Sequence, residues 1–195
     1  MIKLSDVSLY YNEKRVLDRF TLSLPKSGSV CIFGPSGCGK TSFIRVLAGL
    51  TVPDSGEVSG LDGLKPSMVF QENRLLPWLT ASENVSLVLK EKNDAEARYW
   101  LEQVELSADA DKLPRYLSGG MQRRVALARA LAYGGDFLLL DEPFNGLDNA
   151  LARRLLNLIT ELYKEKLVII ITHDKELCSN VDHTYIVDGL PLTVV

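Results

Sequence analysis

Gly34-Pro35-Ser36-Gly37-Cys38-Gly39-Lys40-Thr41 restricts the fold of this chain more than any other stretch. It fits the pattern G-x-x-x-x-G-K-[ST]. In such a turn the glycines let backbone N–H groups point inward around phosphate oxygens. The helix that follows adds the partial positive charge of its N-terminus. Lys40 then reaches the outer phosphates, and the Thr41 hydroxyl is a hard oxygen suited to Mg²⁺. The flanks agree: Ser29 to Phe33 reads as a short apolar strand and Lys40 to Leu50 as a helix. Cys38, inside the turn, reads as a tolerated small residue and not as a nucleophile.

The rest of the chain fits an α/β fold around that turn. Phe137 to Asp141 and Leu167 to Thr172 are nearly unbroken apolar runs, with a helical pattern from Asn149 to Tyr163 between them. Such runs mark strands buried on both faces, and strands alternating with helices imply a parallel sheet. Met68-Val69-Phe70 reads as another buried strand. The N-terminus differs. Ile2, Leu4, Val7 and Leu9 alternate with polar residues, imperfectly around Asp6, and Phe20, Leu22 and Leu24 repeat the pattern. These strands suggest an antiparallel lobe. Val52 to Gly56 has turn chemistry. Helices are expected at Ala81 to Leu89, at Asp94 to Val104 with Asp94 as cap, and from Ser118 to about Tyr133. Thr184 to Val187 and Leu192 to Val195 are expected to close the chain as a hairpin. The expected fold is therefore a P-loop core with a mainly parallel sheet, an N-terminal antiparallel β lobe and a helical insert. Residues 1–195 form one domain, with a helical part at about 80–117 plus the helix from 118.

Composition narrows the partners. The net charge of −3 has no basic excess, so a nucleic-acid partner is not expected. Three cysteines give no disulfide framework and suit a reducing compartment. The longest apolar runs are far too short to span a membrane, and the first residues lack a signal-peptide core. Any membrane role must come through a partner.

Two further stretches carry chemistry. Asp141-Glu142 ends an apolar strand, and ligands in open α/β sheets bind at strand C-termini. Asp141 would hold Mg²⁺ through water, and Glu142 would orient or deprotonate an attacking water. In Leu117-Ser118-Gly119-Gly120-Met121 a Ser cap and two glycines open a helix, which makes a second anion-binding turn. Two such turns in one small domain suggest that two surfaces share one nucleotide.

The order of these elements resembles the nucleotide-binding subunit of ATP-binding-cassette (ABC) transporters. After the phosphate loop, Phe70-Gln71 resembles the family's Q-loop and Leu117 to Met121 its signature. Leu138 to Pro143 resembles the Walker B strand, Asn145-Gly146-Leu147-Asp148 the D-loop, and Thr172-His173-Asp174 the switch histidine. The resemblance runs from about Tyr11 to Asp174. It implies an ATPase in which two subunits, expected to be identical, pair head to tail around two ATP molecules. ATP contacts then fall to Gly34, Pro35, Ser36, Gly37, Cys38, Gly39, Lys40, Thr41 and Ser42, and in trans to Ser118, Gly119 and Gly120. Mg²⁺ contacts fall to Thr41, Gln71 and Asp141, and hydrolysis to Glu142, His173 and Gln71. Asp148 would cross the dimer interface. Tyr11 is favoured over Tyr10 as the adenine platform, since neighbours on a strand face opposite ways. Met121 stands where Gln is commoner, and Asn145-Gly146 replaces a more usual small pair.

Gln71-Glu72-Asn73-Arg74-Leu75-Leu76-Pro77-Trp78 looks like importers of the nitrate, sulfonate and taurine type. Leu75 to Leu79 reads either as core packing or as a contact for a membrane subunit. The expected setting is the cytoplasmic face of the inner membrane, with transmembrane permease subunits and a substrate-binding protein as further partners. The alternatives are an exporter, lipoprotein-release or cell-division ATPase, a P-loop small-molecule kinase, and a regulatory protein that holds ATP without hydrolysing it. Ser118-Gly119-Gly120 argues against the kinase and Glu142 against the last.

Overall fold

The computed structural model describes all 195 residues. The alternating N-terminal stretch forms β1 (Ile2–Tyr11) and β2 (Lys14–Leu24), paired antiparallel. The broken alternation at Asp6 has a structural cause. Asp6 takes φ +50°, and the pairing register slips between Leu4 and Val7. The slip marks a bulge that restores the apolar face beyond it. β3 (Gly28–Phe33) then leads through the phosphate loop into α1 (Lys40–Leu47). This helix stops short of Leu50, with Gly49 following at φ +68°, where glycine suits a helix end.

β4 (Ser55–Ser59) pairs with β1 and completes a sheet of order β2-β1-β4. Its sequence reads only as a turn at 52–56; the partner strand, not its own pattern, makes it a strand. β5 (Pro66–Val69) is followed by three helices: α2 (Ala81–Ser86), α3 (Asp94–Gln103) and α4 (Gly119–Tyr133). Then come β6 (Phe137–Asp141), α5 (Asn149–Leu162), β7 (Leu167–Thr172) and the short α6 (Lys175–Cys178). β8 (His183–Asp188) and β9 (Thr193–Val194) pair antiparallel, the expected hairpin. The second sheet has order β5-β6-β7-β3-β8-β9, and its first five strands are parallel.

The uniform apolar runs hide an alternation that only the fold reveals. Leu138, Leu140, Val168 and Ile170 face one core with α2 to α5. Phe137, Leu139, Ile169 and Ile171 face the other with β1, β2 and α1. Side chains alternate across a strand, so a sheet covered on both sides needs apolar residues at every position. Each fully buried aliphatic side chain contributes about 1.5–3 kcal/mol. The sheet is therefore a stiff base for the loops at its C-terminal edge.

Helix starts follow capping chemistry, with one correction. Thr80 and Glu83 form a reciprocal capping box on α2: Glu83 N–H donates to Thr80 Oγ1 and Thr80 N–H to the Glu83 carboxylate. α3 is capped by Asn93, not Asp94: the Glu96 N–H donates to Asn93 Oδ1 at 3.2 Å. Asp94 is taken up by Ser82 Oγ and Arg98 Nε, which leaves the cap to its neighbour. Ser118 caps α4 as expected, accepting from Met121 N–H at 3.2 Å.

The cysteine count gives no disulfide framework, yet the fold brings Cys31 of β3 and Cys178 of α6 into bonding contact, with Cα atoms 5.6 Å apart. A separation of 147 residues hides that pairing from the sequence. Cys38 is free and buried. No helix is long and apolar enough to cross a membrane.

Candidate active site

The C-terminal ends of β3, β5, β6 and β7 carry the chemistry. The phosphate loop leaves β3 with Gly37 at φ +83° and Gly39 at φ +109°. Glycine is required twice for space as well. A Cβ on Gly34 would stand 2.2 Å from the Val187 carbonyl, and one on Gly39 would stand 2.9 Å from Val16 Cγ1. Lys40 is only 6% exposed. Its Nζ donates to the Gly34 and Pro35 carbonyls at 2.7 and 2.6 Å, which holds the ammonium inside the loop.

Thr41 lies in the first turn of α1, and its Oγ1 donates to Asp141 Oδ2 at 2.8 Å. That bond ties the first turn of the helix to the end of β6. Asp141 is almost fully buried. Burial pushes its carboxyl above the usual range, and the Thr41 hydrogen bond and the charges of Lys40 and Arg123 oppose the rise.

Glu142 has φ +51°, uncommon for a residue with a side chain. Its N–H donates to the Ile171 carbonyl at 3.0 Å, and its own carbonyl accepts from Asn145 N–H at 3.3 Å. One Glu142 carboxylate oxygen lies 2.9 Å from His173 Nδ1. The two residues come from neighbouring strands, β6 and β7, paired with Asp141 opposite Ile171. The unusual backbone is thus held by hydrogen bonds on both sides, an arrangement often found where a side chain must be aimed.

A cleft of about 290 Å³ joins these groups. Ser36, Gly37, Gly39, Lys40, Thr41 and Ser42 line it from the loop and α1, and Gln71, Asp141 and Glu142 from the strand ends. Tyr11 lines it from the end of β1. Tyr10 is instead covered by the Arg15 guanidinium, 5.3 Å from its ring centre. Gly34, Pro35 and Cys38 shape the loop without lining the cleft, and His173 lies beside it, behind Glu142. Lys14, Val16, Ile171 and Leu190 line it too, and sequence reasoning missed them. Lys14 and Val16 follow Tyr11 closely enough to have been candidates. Leu190 arrives from the far end of the chain with no local signal.

Ser118, Gly119 and Gly120 do not line this cleft. Ser118 and Gly119 are exposed on the start of α4. Gly120 packs against the Gly146 carbonyl, so closely that a Cβ would stand 2.8 Å from it. Asp148, in the same loop, caps α5 through a bond from Leu151 N–H of 2.9 Å. The phosphate loop and the Ser118 turn therefore occupy separate surfaces of one chain.

A glycine-rich phosphate loop, a buried Asp at the next strand end but one, and a Glu poised beyond it define the P-loop ATPases as a class. Comparison with known proteins then narrows the class. The family model described as "ABC transporter" matches residues 17–145, and an AAA-domain model matches 113–179. An aliphatic sulfonates import ATP-binding protein, SsuB 1 of Shouchella clausii, is 38% identical over 96% of this chain and 77% of its own. The taurine import ATP-binding protein TauB of Pseudomonas aeruginosa is 39% identical over 93% of this chain and 75% of its own. A dimeric bacterial ABC transporter cassette superposes with a TM-score of 0.88 at 31% identity, over 95% of this chain and 94% of that one. The chain belongs to the ABC transporter family, as an ATP-binding domain that hydrolyses ATP.

Proposed function

We propose that this chain powers import of a small sulfonate or taurine-like solute through separate transmembrane subunits. The observation that carries the paired ATPase in this reading is the exposed Ser118 turn lying outside the cleft. A helix N-terminus with an exposed Ser cap and glycines is suited to an anion, and within one chain it stands apart from the cleft. A second copy, docked head to tail, brings it there. The dimeric state of the related cassette and the names of the sulfonate and taurine relatives support this arrangement and the inward direction.

In this reading residues 1–195 act as one ATPase domain, with residues 80–117 and the helix from 118 as its helical part. Tyr11 stacks on adenine. The loop N–H groups and Lys40 hold the phosphates. Thr41 and Asp141 fit Mg²⁺, being hard oxygens already 2.8 Å apart, with Gln71 lining the same cleft. No cluster of three His, Cys, Asp or Glu ligands exists in the chain. That too suits Mg²⁺, which is held by one or two protein oxygens with water and phosphate. Bound there, Mg²⁺ would neutralise charge on the β- and γ-phosphates. Glu142 orients the attacking water and accepts its proton. His173 holds the Glu142 carboxylate from beside the cleft and would contact the γ-phosphate of bound ATP in the same chain. The pair of chains sits on the cytoplasmic face of the inner membrane against permease subunits, with a substrate-binding protein delivering the solute.

The test is transport. Vesicles are rebuilt with this chain and the transmembrane subunits that co-purify with it, loaded with ATP, and supplied outside with the substrate-binding protein of the same system. They should accumulate taurine or a short alkanesulfonate, and Glu142→Gln should stop uptake. Outward movement of preloaded solute would overturn the direction. ATP turnover with neither solute moving would overturn the substrate class.

A further inference from the structure

Between β5 and α2 the segment 70–80 has neither helix nor strand, yet its backbone is firmly held. Arg123 of α4 donates from Nη1 to the Phe70 carbonyl and from Nη2 to the Gln71 carbonyl. Arg129 of the same helix donates to the Asn73 and Arg74 carbonyls at 3.1 and 2.9 Å. Farther along, the buried Asn84 of α2 accepts from Leu76 N–H and donates to the Leu76, Leu79 and Thr80 carbonyls. The loop also folds on itself, with the Arg74 guanidinium 3.8 Å from the Phe70 ring centre. Its polar backbone is thus satisfied from the helices, not from the sheet it has just left.

Arg123 is the unusual member. It is 6% exposed, and its hydrogen bonds go to neutral carbonyls of this one loop. Burying a cation without a bonded carboxylate costs stability, and an apolar side chain of similar length would fill the volume as well. The charges of Asp141 and Glu142 partly offset the cost, so the guanidinium also lies within electrostatic reach of the cleft. A guanidinium fork on two successive carbonyls fixes both the position and the tilt of a peptide, which one ammonium cannot do.

We infer that Arg123 is a positioning residue for ATP hydrolysis: it sets Gln71 in the cleft from the helix whose N-terminus Ser118 caps. Ser118 and Arg123 are about 7.5 Å apart along a rigid helix. When the Ser118 turn engages the partner's nucleotide, any shift of α4 carries the Gln71 peptide with it. Each copy's Gln71 thereby registers whether its own Ser118 turn is engaged. Arg123 does not itself line the cleft. The inference rests on the roles proposed above for Gln71 and Ser118.

A double-mutant cycle on the full chain tests it. Arg123→Lys keeps a charge and a donor but loses the fork. It should lower kcat about ten-fold through misplacement of Gln71, with KM for ATP within about two-fold of wild type. In combination with Gln71→Ala it should slow turnover no further, because both act through one group. Effects that multiply in the double variant would overturn the inference and leave the role of Gln71 intact. So would a rise in KM with kcat unchanged, or loss of the folded thermal transition in Arg123→Lys. Wild-type turnover in Gln71→Ala alone would overturn the role of Gln71, and the inference with it.

Discussion

Glu142→Gln is expected to bind ATP as wild type does and to hydrolyse it about 10³-fold more slowly, the middle of the range for loss of a positioned general base. The replacement keeps the shape of the side chain and removes the charge that would take up a proton from water. Its surroundings explain why no neighbour can substitute. Asp141 already accepts the hydrogen bond from Thr41, and burial pushes its carboxyl above the usual range. His173 already bonds to the carboxylate being replaced. The backbone at Glu142 is held in a left-handed conformation by bonds to Ile171 and Asn145, and Gln retains both. Phosphate release at steady state and equilibrium binding of ATP should therefore separate cleanly. Turnover within a few-fold of wild type would mean that Glu142 does not position the water.

Lys40→Ala should weaken binding itself. A charge-assisted hydrogen bond contributes about 1.5–3 kcal/mol, so losing contacts to two phosphates should weaken ATP binding about 10²- to 10⁴-fold. A second effect adds to the first. The ammonium ties the Gly34 and Pro35 carbonyls together, and without it the loop loses its internal brace. Calorimetric or fluorescence titration with ATP measures the loss, and a thermal melt shows whether the fold survives. An affinity within about three-fold of wild type would contradict the placement of phosphates in this loop, since one lost charge-assisted bond alone exceeds that.

The parts of the molecule legible from sequence are those in which local pattern and tertiary role coincide. The phosphate loop is one, because its glycines answer a backbone need wherever the loop occurs. β6 and β7 are others, because a strand covered on both faces can hold only apolar residues. Ser118 as the cap of α4 follows from the same local logic. Legibility fails where the partner decides. β4 has one apolar residue and is a strand because β1 pairs with it. α6 is a single turn begun by the Asp174 cap. Asn93 caps α3 because Ser82 and Arg98 claim Asp94. In the cleft, Leu190 comes from the last hairpin, and its part in the site has no counterpart in its neighbours along the chain. Arg123 reads as an ordinary helix residue until its guanidinium is seen on the Phe70 and Gln71 carbonyls.

The most direct measurement is the mass of Glu142→Gln in solution by light scattering, with and without ATP and Mg²⁺. A nucleotide shared between the phosphate loop of one copy and the Ser118 turn of another requires the mass to double when ATP is added. It also requires Ser118→Arg, placed in the same chain, to return the protein to a single copy while ATP still binds, because the guanidinium then fills the γ-phosphate position. A single-copy mass at saturating ATP, or a dimer indifferent to Ser118→Arg, would contradict the shared site.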